Sequence, residues 1–228
     1  MSLLRLITFR KQPEQPTGIV TSGLTLHLDA GNSASYPGTG TTWTDLSGQG
    51  NDGTLVNGVG YSSNDGGYLT FDGSNDYVST NYSAITGQNA RTVSVWYKSN
   101  QTQNKAILGW GTTSNKAMWE LLLYNGTVGI HLYNSGNEAS TSYTNNAWQN
   151  ITFTYSHPTI KSYMNGVYKS QYTFTAMSTG TTNTLRIGTG LYYSNFNGNI
   201  AVVLMYNKEL TASEVQQNFD ALKGRFGL

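Results

Sequence analysis

Short stretches in which apolar and polar residues alternate, each stopped by Gly, Asn or Ser, recur from Gly23 to Tyr206, and a period of two commits most of the chain to β-strands. The clearest candidates are residues 24–28, 67–71, 92–98, 106–110, 117–124, 127–133, 148–155, 160–164, 184–187 and 199–206. Two turns are equally legible. Tyr124-Asn125-Gly126-Thr127 and Met164-Asn165-Gly166-Val167 set Asn-Gly between strands, which favours a two-residue hairpin with positive φ at both central positions. About ten strands at this spacing predict an all-β, two-sheet antiparallel sandwich.

Alternation also sorts side chains by face. Val93, Val95 and Tyr97 share one side of their strand and Ser94 and Trp96 the other, while Ile151, Phe153 and Tyr155 face together. Trp43, Trp96 and Trp148 are accordingly expected as packing between the sheets. One helix is predicted, at the C-terminus. Thr211 caps it, Glu214 completes a capping box, Val215, Phe219 and Leu222 form its apolar stripe, and Gly224 stops it.

The chain has 228 residues, no cysteine, 11% charged residues and a formal net charge of +1. Disulfides, thiolate metal sites and thiol nucleophiles are excluded, and there is no electrostatic case for nucleic acid or an anionic membrane. No apolar run approaches the roughly 20 residues that span a bilayer, so membrane insertion is not expected. Residues 1–10 are apolar but broken by Arg5 and Arg10, and residues 11–18 are punctuated by Pro13 and Pro16. Residues 1–22 therefore read as an arm, either a docking segment or an end that frays or folds back on its own sheet, before a single domain at 23–228.

Between Phe71 and Tyr77 a turn gathers Asp72, Asn75 and Asp76. Their hard oxygens suit a Ca²⁺ ion or a polar ligand, and they suit equally the turn's own amides.

The motifs in order are Gly67-x-Leu69-x-Phe71-Asp72-Gly73-x-x-Asp76-Tyr77-Val78, residues 92–96, Trp148-x-Asn150-Ile151-x-Phe153-x-Tyr155, Tyr163-x-Asn165-Gly166, Leu185-x-Ile187-Gly188, Phe196-x-Gly198-x-Ile200 and residues 206–215. Together they resemble the laminin G-like and pentraxin-like branch of the concanavalin A-like jelly rolls over about residues 24–220. The resemblance implies two curved sheets with ligands on the concave face or the rim loops. It also implies a structural Ca²⁺ near such turns, for which Asp45, Asn51, Asp72 and Asp76 are the candidates. The chain departs from the family at Ile200-Ala201-Val202, where relatives carry an acidic pair, and Asx turns compete for the same side chains. Residues 24–32, 45–53 and 221–228 further resemble single-domain members encoded by tailed bacteriophages.

Catalysis has little support. Glu120, Glu138, Glu209 and Glu214 are isolated, whereas a glucanase needs two carboxylates flanking one glycosidic bond. His27, His131 and His157 lack the motifs of a jelly-roll polysaccharide lyase. Sugar binding fits better, because it needs aromatic faces, amides and hydroxyls without strong charge. Trp110, Trp119, Tyr124, His131 and Tyr133 on neighbouring strands, and Tyr192, Tyr193 and Asn195 in one loop that continues into Phe196, are the candidates. Aromatic residues that merely cover a sheet or an oligomer interface are the competing explanation.

The first expectation is a non-enzymatic phage virion component, a decoration or fibre protein, forming a homo-oligomer and reaching other virion proteins through the arm. The second is a stand-alone lectin or adhesin, extracellular, on a cell-surface glycan. A carbohydrate-active enzyme is third.

Overall fold

A computed structural model describes residues 18–101, 104–136 and 138–228. In chain order the elements are β1 (Leu24–Asp29), β2 (Thr42–Trp43), β3 (Gly53–Val56), β4 (Gly60–Ser62), β5 (Tyr68–Asp72), β6 (Tyr77–Thr80), β7 (Arg91–Lys98), β8 (Lys105–Gly111) and β9 (Met118–Tyr124). Then come β10 (Thr127–His131), β11 (Glu138–Ser142), β12 (Gln149–Ser156), β13 (Thr159–Met164), β14 (Val167–Thr173), β15 (Asn183–Ile187), β16 (Ser194–Asn195) and β17 (Asn197–Tyr206). Helix α1 (Ala212–Leu222) and a 3-10 turn (Lys223–Phe226) close the chain. Every stretch that alternation marked is a strand. Both Asn-Gly turns have the expected geometry, with φ of 47° and 77° at Asn125 and Gly126 and 51° and 77° at Asn165 and Gly166.

The strands form two sheets. One runs β14-β13-β12-β7-β17-β5-β4, with β1 also on β17; the other runs β11-β10-β9-β8-β15-β6-β3-β2, with the two-residue β16 parallel to β8. The remaining pairings are antiparallel. At ten residues, β17 is long enough to pair with β5 through residues 197–200 and with β1 through residues 202–206.

The main core lies between the sheets. Val93, Val95 and Tyr97 of β7 and Ile151, Phe153 and Tyr155 of β12 meet Leu108 and Trp110 of β8 and Trp119, Leu121 and Leu123 of β9 there. A second core covers the outer face of the eight-stranded sheet. In it Trp96, Ala201, Val202, Leu204 and Tyr206 pack against Leu210, Val215, Phe219 and Phe226. Trp43 fills the inter-sheet core as expected, but Trp96 and Trp148 belong to this second layer. The correction follows from pleating: Trp96 points opposite Val95 and Tyr97, so it needs its own cover.

The C-terminal segment supplies that cover. The Thr211 side chain accepts from the Glu214 N–H while Glu214 bonds the Thr211 N–H, which completes the capping box and starts α1. Thr92 on the outer face of β7 ties the approach, donating to the Lys208 carbonyl and accepting from the Leu210 N–H. Phe226 stacks on Trp96 with centroids 4.2 Å apart and also meets Trp148 at 4.9 Å. Arg225 then locks the tail, its Nη1 2.5 Å from Asp29 Oδ1 and its other nitrogens on the Asp65 and Gly67 carbonyls.

Of the arm expected at 1–22, residues 1–17 lie outside the described residues. Residues 18–22 run beside α1. The Val20 N–H donates to Asn218 Oδ1, the Val20 carbonyl accepts from the Tyr206 hydroxyl, and Gln217 donates to the Gly18 carbonyl.

Phe226→Ala removes the ring that closes the second core and is expected to destabilise the fold by about 3 kcal/mol, read from the midpoint of urea unfolding. A change below about 1 kcal/mol would mean that the tail adds little cover.

Candidate functional site

The outer face of the nine-stranded sheet carries different chemistry. Along β9 the inward Trp119, Leu121 and Leu123 alternate with Met118, Glu120, Leu122 and Tyr124, and along β10 the inward Val128 and Ile130 alternate with Gly129 and His131. No helix lies here. Loop 190–193, between β15 and β16, crosses this face instead and is fixed by one carboxylate. Glu120 Oε1 accepts the backbone N–H groups of Leu191, Tyr192 and Tyr193 at 3.1, 3.4 and 3.2 Å.

Such a nest suits an anion, since three N–H dipoles converge on it. It also demands close approach. A Cβ on Gly190 would sit 1.5 Å from Glu120 Oε1, so only glycine lets the loop backbone lie on the carboxylate.

The result is a cluster of five rings. Tyr193 meets His131 at 5.0 Å, Tyr192 at 5.1 Å and Tyr124 at 6.4 Å, and Tyr192 meets His131 at 5.6 Å and Tyr133 at 5.3 Å. Tyr192 is 59% exposed, Tyr124, Tyr133 and Tyr193 are half-buried, and His131 is buried beneath them. A cavity of about 90 Å³ opens beside the cluster, lined by Leu122, Tyr124, His131, Ser135, Gly136 and Tyr193. Burial pushes the Tyr193 hydroxyl above its ordinary range, with Tyr124, Tyr192 and Glu120 adding to the effect, so it stays a neutral donor.

Five of the eight residues expected to bind sugar therefore come together: Tyr124, His131, Tyr133, Tyr192 and Tyr193. Trp110 and Trp119 do not. Both are fully buried in the inter-sheet core and stacked on each other at 5.7 Å, because their strand positions point inward. Phe196, next to Asn195 in the chain, is likewise core, edge-on to Phe71.

Asn195 has a structural task. Its Oδ1 accepts from the Thr189 hydroxyl at 2.5 Å and its Nδ2 donates to the Ser74 carbonyl, tying the loop to the turn after β5. Glu120 was the member that sequence reading passed over as isolated. Its one signal is a carboxylate in the middle of the apolar run Met118–Tyr124.

These observations define a lectin-like jelly-roll sandwich with an aromatic patch on one outer face. The sequence agrees, since residues 72–216 match the family described as the concanavalin A-like lectin/glucanases superfamily, and the chain belongs to that family. No curated protein matches the sequence. Among solved structures, the fold is similar to domain 4 of AbnA, a GH43 extracellular arabinanase from Geobacillus stearothermophilus, in complex with arabinotriose. The TM-score is 0.69 at 19% identity, covering 86% of this chain and 98% of that one. It is similar to the botulinum neurotoxin serotype D binding domain with TM-score 0.67 and 17% identity, where 88% of this chain covers 52% of that one. A Trypanosoma rangeli sialidase mutant displaying trans-sialidase activity matches with TM-score 0.64 and 14% identity, 90% of this chain covering 34% of that one. The chain thus spans about half of the toxin domain and a third of the sialidase.

The expected metal ligands fall in two turns, and each takes part in local hydrogen bonds. Asp45 Oδ1 accepts the His27 and Ser47 N–H groups, and its Oδ2 accepts the Ser47 hydroxyl and the Asn51 N–H. Asn51 itself donates to the Thr25 carbonyl. In the other turn Asp72 accepts from Ser74 and Asn75, and Asp76 accepts from the Asp72 N–H. The Ser74 N–H is the main cause that holds the exposed Asp72 carboxyl below its usual range, whereas burial pushes Asp76 up. Among the described residues no group of three or more His, Cys, Asp or Glu side chains is placed to hold a metal ion, so a Ca²⁺ ion here would depend on amide and backbone carbonyl oxygens as well.

His27, bonded through its backbone to Asp45, sits with its ring mostly buried. Burial lowers its pKa from the ordinary 6.5, and the charges of Asp29 and Asp45 oppose the shift without cancelling it. The unfolded chain therefore takes up the proton first, so this contribution to stability is complete above about pH 6.5 and declines as pH falls through the folded-state value. His27→Leu is expected to flatten the decline of melting temperature between about pH 6.5 and pH 5. An unchanged slope in the variant would place the acid sensitivity elsewhere.

Proposed function

We propose that this domain is a non-enzymatic carbohydrate-binding module that holds a neutral oligosaccharide against Tyr124, His131, Tyr133, Tyr192 and Tyr193. The observation that carries the reading is the convergence of these rings on one outer face around an exposed Tyr192. Flat rings take the C–H faces of a sugar, while the phenol hydroxyls and Ser135 are placed for its hydroxyl groups.

Neutral sugars fit because the cavity lining contains no Lys or Arg to pair with a uronate or sialate. Support also comes from the similar arabinanase domain, whose structure holds arabinotriose. Against hydrolysis stands the burial of Glu120. Glu120 is fully buried beneath the loop and has no second carboxylate in the cavity lining to act with it.

The wider setting is a proposal that rests on resemblance. Residues 18–20 are bonded to α1, on the outer face of the eight-stranded sheet, and the aromatic patch lies on the outer face of the other sheet. The phage-type segments at 24–32, 45–53 and 221–228 favour a virion decoration or fibre protein as the setting, with a free adhesin as the alternative.

Tyr192→Ala and Tyr193→Ala are each expected to weaken binding of the module's glycan at least tenfold, about 1.4 kcal/mol per decade, in calorimetric titration against a neutral oligosaccharide panel that includes arabinotriose. Wild-type protein that binds no neutral glycan at millimolar concentration would sink the reading.

A further inference from the structure

Aromatic packing does not account for the two polar atoms beneath it. Glu120 is fully buried, and while its Oε1 takes three loop N–H groups, its Oε2 has no partner. His131 Nδ1 lies 3.7 Å from that oxygen, too far for a hydrogen bond, and is unpartnered as well. The side chains are 0% and 6% exposed. Buried polar atoms are nearly always matched, so an adjacent unmatched acceptor and ring nitrogen call for a group that serves both.

The spacing fits one hydroxyl group. An oxygen about 2.8 Å from each atom sits at the apex of a triangle on the 3.7 Å base, donating its proton to Oε2 and accepting from an Nδ1–H. His131 also lines the cavity of about 90 Å³. That space holds about three waters' worth of liquid volume, enough for a hydroxymethyl group or one edge of a sugar and too small for a whole ring.

The cover over the pair is a loop side chain rather than core. Tyr192 stacks on the His131 ring at 29° and is itself 59% exposed, and its neighbours are held to the sheet by the same carboxylate. A rotation of the Tyr192 side chain, with the loop backbone still held by Glu120, uncovers the pair without disturbing the inter-sheet core, which lies on the other side of β9 and β10.

We propose that Glu120 and His131 form the polar anchor of the glycan site. A ligand hydroxyl enters between Glu120 Oε2 and His131 Nδ1 as Tyr192 moves aside, and Tyr193 and Tyr124 flank it. This rests on the glycan-binding reading and adds to it the requirement for one free, neutral hydroxyl that both donates and accepts.

Two variants isolate the pair. Glu120→Gln keeps a side-chain carbonyl for the loop N–H groups and replaces the free acceptor by a donor; His131→Phe keeps the ring under Tyr192 and removes the nitrogen. Titration with arabinotriose and a panel of neutral methyl glycosides is expected to show at least tenfold weaker binding for each. The double variant should be little worse than either, because both act on one hydroxyl. The ring ¹⁵N resonances of His131 in the wild type should shift on saturation. Variants that bind as wild type does, or His131 resonances that stay fixed while Tyr193→Ala loses binding, would overturn the anchor and leave the glycan reading standing. A wild-type protein that binds no member of the panel overturns both.

Discussion

The central strands of the eight-stranded sheet are buried on both faces, and the rest of the molecule is arranged to cover them twice. β7, β12 and β17 are buried along nearly their whole length. Their inner faces are met by the second sheet. Their outer faces need the C-terminal segment, which is why Trp96 lies between Phe219 and Phe226 at 5.5 and 4.2 Å. Some of the polar residues on those outer faces pair with one another, Asn150 and Thr152 both donating to the Ser94 hydroxyl. With the tail committed to one sheet, the outer face of the other receives only loops. That face is where the proposed glycan site lies.

Charge is used sparingly, and where it is buried it organises loops. Arg91 is fully buried without a carboxylate partner; burial pushes its pKa down to about 10, with Tyr155 and Tyr82 opposing. Its nitrogens donate to the carbonyls of Ile85, Thr86, Gly87 and Asn89 and to Thr179, and its plane lies over Trp119 and Tyr155. Glu120 does the reverse for loop 190–193, collecting N–H groups. A cation that gathers carbonyls and an anion that gathers amides fix two loops that have few apolar contacts of their own. Asn195 adds a third tie, so the turn after β5, which looked like a ligand turn in sequence, supports the aromatic loop from below.

Much of the fold was legible because it is locally encoded. The period of two, the two Asn-Gly turns and the Thr211–Glu214 capping box depend on residues within a few positions of one another. The three shortest pieces, β2, β4 and β16, span two or three residues and leave no periodic trace. The site was legible in part. His131, Tyr124 and Tyr133 could be placed near one another from strand order, but alternation does not say which face of β9 is inward. Trp119 and Tyr124 sit on opposite faces for that reason, and only the opposing sheet decides between them. Glu120 looked isolated because its partners are backbone groups some 70 residues further on, invisible to any reading of side-chain types.

The central claim is that ligand binds on the aromatic face built over Glu120. Chemical-shift mapping of the assigned protein during titration with a neutral oligosaccharide tests it most directly. The account predicts shifts concentrated at Tyr124, His131, Tyr133 and the amides of Leu191, Tyr192 and Tyr193, with the Trp110 and Trp119 indoles unmoved. Shifts gathered instead at the groove between the β1 turn and the tail, around Asn32, Asp220 and Arg225, would contradict it.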